Sequence, residues 1–290
     1  MKLSLNLNSY ENPRLKRVLP FVRELGIGAA ELWGCCLEGG EDVHKYSYNC
    51  KDIKGAMNML DKYGIAVSVL TFGFGLESPL TRNPAHFASE FCKVIRLARS
   101  IGAPCVIHHM CGITALPELQ IELLRQYWEK PIECAEENGI VLALENETSD
   151  ASYCPENVCA LLDAFSSPCF ASNFDIGNFH FGGSEPYPYG YGLLRGRIGN
   201  VHLKGYRVYD PATCPHRDMI CSFTPNRICG SPRMYRCGAE YSGCNAYGFL
   251  SALQKDGYDG YISLEHHGLD SSMNEMFANT ISWLSDCRFI

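Results

Sequence analysis

No apolar run in this 290-residue sequence reaches the ~18 to 20 residues that a membrane-spanning helix requires, so a helical membrane protein is not expected. The opening stretch, MKLSLNLNSYENP, meets polar and acidic residues before a signal-peptide core can develop. A cytoplasmic protein is therefore the expectation. Low-complexity and collagen-like segments are absent, and 46% of the residues are apolar, which excludes a disordered chain. Basic charge is in deficit, with 25 Lys and Arg against 32 Asp and Glu and a net charge of -7. Such a surface repels phosphate backbones, so nucleic acid is not an expected partner. Also missing is a C-x2-C pair, although the chain holds 16 cysteines. In a long chain with no export signal, the thiols read as small apolar residues in a reducing compartment. Five of them, Cys214, Cys221, Cys229, Cys237 and Cys244, recur at gaps of seven or eight. That leaves a structural zinc site there as the minor alternative.

What is present is an alternation that runs from end to end. Strand-like runs cover residues 3–7, 29–33, 66–71, 105–109, 141–145, 171–176, 200–204 and 260–265. Helical periodicity fills 12–25, 51–63, 84–100, 117–138, 155–166, 189–197, 246–256 and 272–286. Pro84 and Pro155 mark helix starts, and Gly64, Gly102 and Gly139 mark stops. Eight strand–helix units of roughly 36 residues predict an α/β fold, a (β/α)8 TIM barrel. The competing doubly wound sheet wants a Gly-rich phosphate turn after its first strand. Here Asn8, Ser9 and Tyr10 follow instead. With no linker in view, residues 1–290 read as one barrel domain, interrupted by a ~40-residue insertion after the seventh strand, 205–245.

In such a barrel the reacting groups lie at the C-terminal ends of strands. Strands five to eight end in Glu145, Asp175, His202 and Glu265, each after an apolar run. Three converging buried carboxylates repel one another unless a cation joins them. An imidazole with three carboxylates suits Mn2+ foremost, with Mg2+, Co2+ or Zn2+ as alternatives. Other strand ends offer supporting groups. His108 is a candidate to polarise substrate, with a core imidazole and a surface His109 as the rival reading. Lys204 would stabilise a developing oxyanion, and Glu31 would orient a ligand or hold a substrate hydroxyl. Trp33, Phe72 and Phe74 would wall the apolar face of a bound substrate. Glu147 reads as a supporting group or helix start, and Asn178 as a substrate contact or a turn residue.

The ordered set of motifs resembles the xylose isomerase-like TIM-barrel superfamily, specifically its sugar phosphate isomerase/epimerase group. The pieces are LGIGAAELWG at 25–34, YGIAVS at 63–68, AEENGIVLALENE at 135–147, FDIGN at 174–178, VHLK at 201–204 and GYDGYISLEH at 257–266. The resemblance implies one divalent metal on Glu145, Asp175, His202 and Glu265, and a sugar or polyol substrate, neutral or anionic. It further implies isomerisation or epimerisation through a metal-stabilised enediolate, with Glu145 and Glu265 as acid and base. Dehydration of a keto-polyol, as in inosose dehydratases, or lysis of a keto-glycoside is the alternative, and a non-catalytic sugar-binding barrel is a third. Asn178 stands where the 3-epimerases and the repair nucleases of the superfamily carry His, and Gly205 where many members are acidic. A homo-oligomer is compatible with the group but not dictated by the sequence. The insertion holds Arg207, Arg217, Arg227, Arg233 and Arg236 against Asp210, Asp218 and Glu240. A lid that recognises phosphate or carboxylate is expected there, with a surface or subunit-contact loop as the rival.

Overall fold

A computed structural model of the chain describes residues 1–37, 53–72, 83–110, 117–148, 150–212, 214, 219–221, 232–268 and 270–290. Eight parallel strands close into a barrel. They are β1 (Lys2–Asn6), β2 (Ala29–Leu32), β3 (Ala66–Phe72), β4 (Cys105–His108), β5 (Val141–Glu145), β6 (Phe170–Asp175), β7 (Ile198–Leu203) and, after a two-stranded excursion, β10 (Tyr261–Leu264). Each pairs with its sequence neighbour in the barrel, and β1 pairs with β10 to close the ring. This is the expected (β/α)8 architecture.

Helices α1 (Leu15–Glu24), α2 (Ile53–Tyr63), α3 (Pro84–Ile101), α4 (Pro117–Asn138), α5 (Pro155–Phe165), α8 (Ala246–Lys255) and α9 (Asp270–Asp286) match the expected segments to within three residues. Their ends follow from local chemistry. At α3 the Asn83 side chain accepts from the His86 N–H at 3.1 Å, and Pro84 occupies the first turn, where no amide is needed. The same helix stops at Gly102, whose φ of +79° is a left-handed conformation that L side chains disfavour. No helix among the described residues is long and apolar enough to cross a membrane.

Two elements depart from expectation. The run expected to end as a strand at Ile176 turns directly into α6 (Ile176–Phe181), and the segment expected helical over 189–197 is a π-helical turn (Pro186–Gly190) that runs into the short α7 (Tyr191–Leu194). Asp175 causes the first change. It caps α6, its Oδ1 accepting from the Asn178 N–H at 2.7 Å, and so converts the strand end into a helix start. The insertion, read as aperiodic, contains an ordered antiparallel ribbon of β8 (Gly205–Val208) and β9 (Met234–Cys237). Each strand has four residues, too few for a period-2 signal to stand out. Of its five arginines, Arg217 and Arg227 lie outside the described residues, as do Asp218, Phe223 and Cys229.

Side-chain alternation divides each strand between two environments. Val69, Cys105, Ile107 and Ala143 form a small cluster of their own inside the barrel. Val106, Leu142 and Leu144 belong to the larger core, together with the helix residues Phe91, Ile95 and Trp128. Among the described cysteines all are free thiols, and none takes part in a group that could hold a metal. Cys92, Cys105, Cys134 and Cys237 are buried, as small apolar residues would be.

Candidate metal centre

The inward phase delivers polar groups to the C-terminal rim. His202, on β7, is fully buried and sits at the hub. Its Nδ1 lies 3.0 Å from Glu145 Oε1, 3.1 Å from Glu265 Oε2 and 3.6 Å from Asp175 Oδ2. On the far side of the ring, Nε2 lies 2.9 Å from Glu31 Oε2. The structure thus brings together the four residues expected to bind metal, with ligand atoms all within 4.8 Å of one another.

Lys204 extends over this group, its Nζ 2.8 Å from Asp175 Oδ2 and 2.7 Å from Glu265 Oε2. Gly177 leaves room for it, since a Cβ there would lie 2.5 Å from Lys204 Cγ. Burial works against the charge on Lys204, but Asp175 and Glu265 outweigh it and hold the ammonium well above its ordinary range. Burial likewise opposes protonation of His202, and Glu31, Glu145 and Glu265 outweigh that too. For Glu265 burial would raise the carboxyl, yet Lys204 and His202 keep it well below the usual range.

A ring of hydrogen bonds fixes these groups. Asn6 Nδ2 donates to Glu265 Oε1 at 3.2 Å, and Thr71 Oγ1 donates to Glu31 Oε1 at 2.9 Å. Asn146 Oδ1 accepts from the Asp175 N–H at 2.8 Å while its Nδ2 donates to the Asp175 carbonyl at 3.0 Å, tying the ends of β5 and β6 together. Asn178 Nδ2 donates to the Asn146 carbonyl at 2.9 Å. These contacts place Asn178 in the turn that opens α6, as the turn reading expects. Glu31, 0% exposed, braces His202, the contact expected of a residue that orients a ligand. Sequence reasoning missed Asn6, Thr71 and Asn146. The signal was their place at or just past the ends of strands one, three and five.

His108 requires correction. Cys105 and Ile107 face inward, so His108 points away from the mouth into the helix layer. Its ring lies 5.3 Å from Phe91, 5.1 Å from Trp128 and 5.6 Å from Phe170, and neither nitrogen has a hydrogen-bond partner among the described residues. The residue at the mouth is His109, with Nε2 3.6 Å from Glu145 Oε2 and Nδ1 4.0 Å from Glu147 Oε1. Its ring lies 5.7 Å from that of Trp33, which is where the sequence put a wall. Glu147 borders this corner of the mouth, and burial together with the nearby Glu145 pushes its carboxyl well above the usual range. Phe72 faces α3, its ring stacked 4.3 Å from Phe91, and so points into the helix layer. Phe74 lies outside the described residues.

The burial of His108 has a measurable consequence. Desolvation pushes its pKa from 6.5 down to about 3, so the folded state holds it neutral while the unfolded chain protonates near 6.5. Its contribution is therefore present above pH 6.5 and is lost progressively as pH falls toward 3. At pH 5 the loss is about 2 kcal/mol. Urea unfolding of wild type and His108→Phe at pH 7 and pH 5 is expected to show wild type losing about 2 kcal/mol more than the variant. Equal losses would mean that the imidazole is not buried neutral.

The four central residues also meet the chemical demands of a hard divalent cation. Four carboxylates, Glu31, Glu145, Asp175 and Glu265, face one ammonium and one imidazole. Glu145 Oε2 is buried and accepts no hydrogen bond among the described residues, its nearest cationic neighbour being His109 Nε2 at 3.6 Å, which leaves lone-pair capacity for a cation. Three carboxylates and one imidazole form an oxygen-rich donor set, and Glu31 supplies the outer carboxylate that metal-binding imidazoles usually carry.

A sequence profile of the xylose isomerase-like TIM barrel family matches residues 19–287. The chain belongs to the xylose isomerase-like TIM barrel family. Among solved structures it is similar to a xylose isomerase-like TIM barrel protein from Mycobacterium smegmatis in complex with magnesium, at 20% identity and a TM-score of 0.72, covering 99% of this chain and 96% of that one. It is also similar to D-allulose 3-epimerase from Methylomonas sp. in complex with D-allulose, at 11% identity and a TM-score of 0.70, with the same coverages. A third is the probable 3-DHS dehydratase AsbF from Bacillus anthracis, at 14% identity and a TM-score of 0.67, covering 98% of this chain and 99% of that one. At these identities the likeness is one of fold. Comparison with curated protein sequences returns no match.

Proposed function

We propose that this member of the family is a divalent-metal-dependent isomerase or epimerase acting on a sugar or sugar derivative. The observation that carries this reading is the convergence of three buried carboxylates on His202 Nδ1, with Glu145 Oε2 accepting no hydrogen bond among the described residues. Glu145, Asp175, His202 and Glu265 would hold the cation, with Mn2+ as the first choice and Mg2+, Co2+ or Zn2+ as alternatives. The chemistry such a cation supplies is stabilisation of negative charge on the substrate's carbonyl and hydroxyl oxygens as a neighbouring carbon loses its proton.

The protein's own groups divide the remaining work. Glu145 and Glu265 stand on strands separated by two others and bring their carboxylates together at His202 Nδ1. One removes the carbon-bound proton, and the same or the other returns it. Return to the opposite face epimerises the centre; return to the adjacent carbon exchanges aldose and ketose. Lys204 stands ready to donate to the substrate oxygen on which charge develops. His109 and Trp33 border the mouth beside Glu145, where a hydroxyl and the apolar face of a sugar ring would be received. Dehydration is the second reading, favoured by the likeness to a probable dehydratase. It uses the same proton abstraction followed by loss of a neighbouring hydroxyl.

The test is to load the protein with Mn2+, measure its metal content, and incubate it in deuterated water with ketoses, keto-inositols and their phosphates. About one retained equivalent of metal and exchange of a single carbon-bound proton are expected. A product lighter by one water selects dehydration. Absence of both metal and exchange would leave only the architecture.

A further inference from the structure

The β8–β9 ribbon is fastened to the barrel at both ends. Its first strand begins at Gly205, the residue after Lys204, and its second runs into a single 3-10 turn, Ala239–Tyr241. Neither junction has room for a side chain. A Cβ on Gly205 would lie 2.5 Å from the Gly238 carbonyl oxygen, and one on Gly238 would run into the Glu240 carboxylate. The bare backbone at 238 lets Glu240 lie against the base of the ribbon and reach α9. There Glu240 Oε2 accepts from Thr280 Oγ1 at 2.6 Å, and the same hydroxyl oxygen lies 2.9 Å from His266 Nε2. A threonine hydroxyl has one hydrogen. With that hydrogen given to Glu240, the oxygen can only accept, so His266 carries its proton on Nε2.

Thr280 and His266 are both buried, so neither can exchange this bond for one to water. The His266 ring also stacks on Phe277 of α9, with centroids 5.1 Å apart, and its Nδ1 has no hydrogen-bond partner among the described residues. The bond to Thr280 is thus the polar restraint that orients the ring. His266 directly follows Glu265, whose N–H donates to the Leu203 carbonyl at 3.1 Å. The backbone that carries Glu265 is therefore held by β7 before its side chain and by the His266 ring after it. At the other end of the ribbon, Lys204 bonds Glu265 Oε2. The two attachments bear on the two partners of one ion pair.

We propose that Glu240 is a positioning residue for the metal centre: through Thr280 and His266 it sets the end of β10, and with it the direction in which Glu265 presents its carboxylate. This rests on the metal-binding reading above and gives the insertion a part in it. Glu240 itself would meet neither cation nor substrate. Outer partners of this kind act by holding a ligand in its binding geometry, so their loss weakens the metal more than it unsettles the fold.

Calorimetric titration of the metal-free protein with Mn2+, alongside thermal unfolding, tests this. Glu240→Ala and Thr280→Val are each expected to weaken Mn2+ binding about tenfold. Glu240→Gln keeps an acceptor for Thr280 and Thr280→Ser keeps the hydroxyl, so both are expected to bind close to wild type. The double variant Glu240→Ala/Thr280→Val is expected to bind no more weakly than the weaker single variant, because both break one chain. Should Glu240→Ala not fold, Thr280→Val against Thr280→Ser decides. Unchanged affinity in the folded Ala or Val variants, even with a lower melting temperature, would make the chain a structural anchor and overturn the proposal. So would a Glu240→Gln protein as weak as Glu240→Ala, which traces the effect to charge, or additive losses in the double variant. Those results leave the metal reading intact; a folded wild type that binds no Mn2+ would overturn both.

Discussion

Glu145→Gln is expected to leave a folded barrel that retains no stoichiometric divalent cation and exchanges carbon-bound protons at least ~10³-fold more slowly than wild type. Glu145 is 1% exposed, with one oxygen on His202 Nδ1 and the other accepting no hydrogen bond among the described residues. An amide keeps the shape and removes the charge. It also turns two N–H donors toward a place where a cation would sit. The same residue would be ligand and proton carrier, so the loss compounds a weakened site with a missing base. Folding is not the casualty, because removing one charge from a group of four crowded carboxylates relieves repulsion. Three measurements check this together: metal content by elemental analysis, deuterium exchange in the most reactive substrate, and thermal unfolding. Exchange at the wild-type rate in a metal-loaded Glu145→Gln protein would remove Glu145 from the chemistry.

The second large effect is expected at a residue that never meets the substrate. Glu31 Oε2 lies 2.9 Å from His202 Nε2, and Thr71 holds its other oxygen. A carboxylate there accepts the Nε2 hydrogen, so that a cation replacing the Nδ1 proton would find the Nδ1 lone pair directed at it. Glutamine at position 31 accepts less strongly and can present a donor instead, which favours the wrong tautomer. Glu31→Gln is therefore expected to weaken metal affinity by about 10- to 100-fold. Saturating metal is expected to restore most of the exchange rate, because the acid and base remain in place. That rescue separates the two variants: Glu145→Gln is not recovered by excess Mn2+, and Glu31→Gln is. Unchanged metal affinity in Glu31→Gln would show that the contact is packing alone.

Much of the architecture was legible because two periodicities were clean. Apolar runs of four to seven residues alternated with amphipathic helices punctuated by Pro and Gly, and eight such units close only as a barrel. The metal-ligand candidates were legible for a related reason. A carboxylate or imidazole at the end of an apolar run must go to the rim, and four in succession on strands five to eight have one place to meet. The ribbon was not legible, since its pairing joins residues 26 to 32 apart through short strands whose partners no local pattern announces.

Which of two adjacent histidines reaches the mouth shows where sequence reading stops. His108 and His109 follow the same apolar run, and their chemistry is identical. The run Cys105-Val106-Ile107 is apolar at every position, as a strand buried on both faces must be, so it carries no alternation to reveal the phase. Only closure of the barrel, which packs Cys105 and Ile107 against Val69 and Ala143, sends His109 to Glu145 and His108 into the aromatic layer. The sequence by itself determined which kinds of residue line the rim and how many strands carry them. The tertiary structure decided which way each one faces, because a side chain's direction in a doubly buried strand is set by its neighbours across the barrel and not by the residues before and after it.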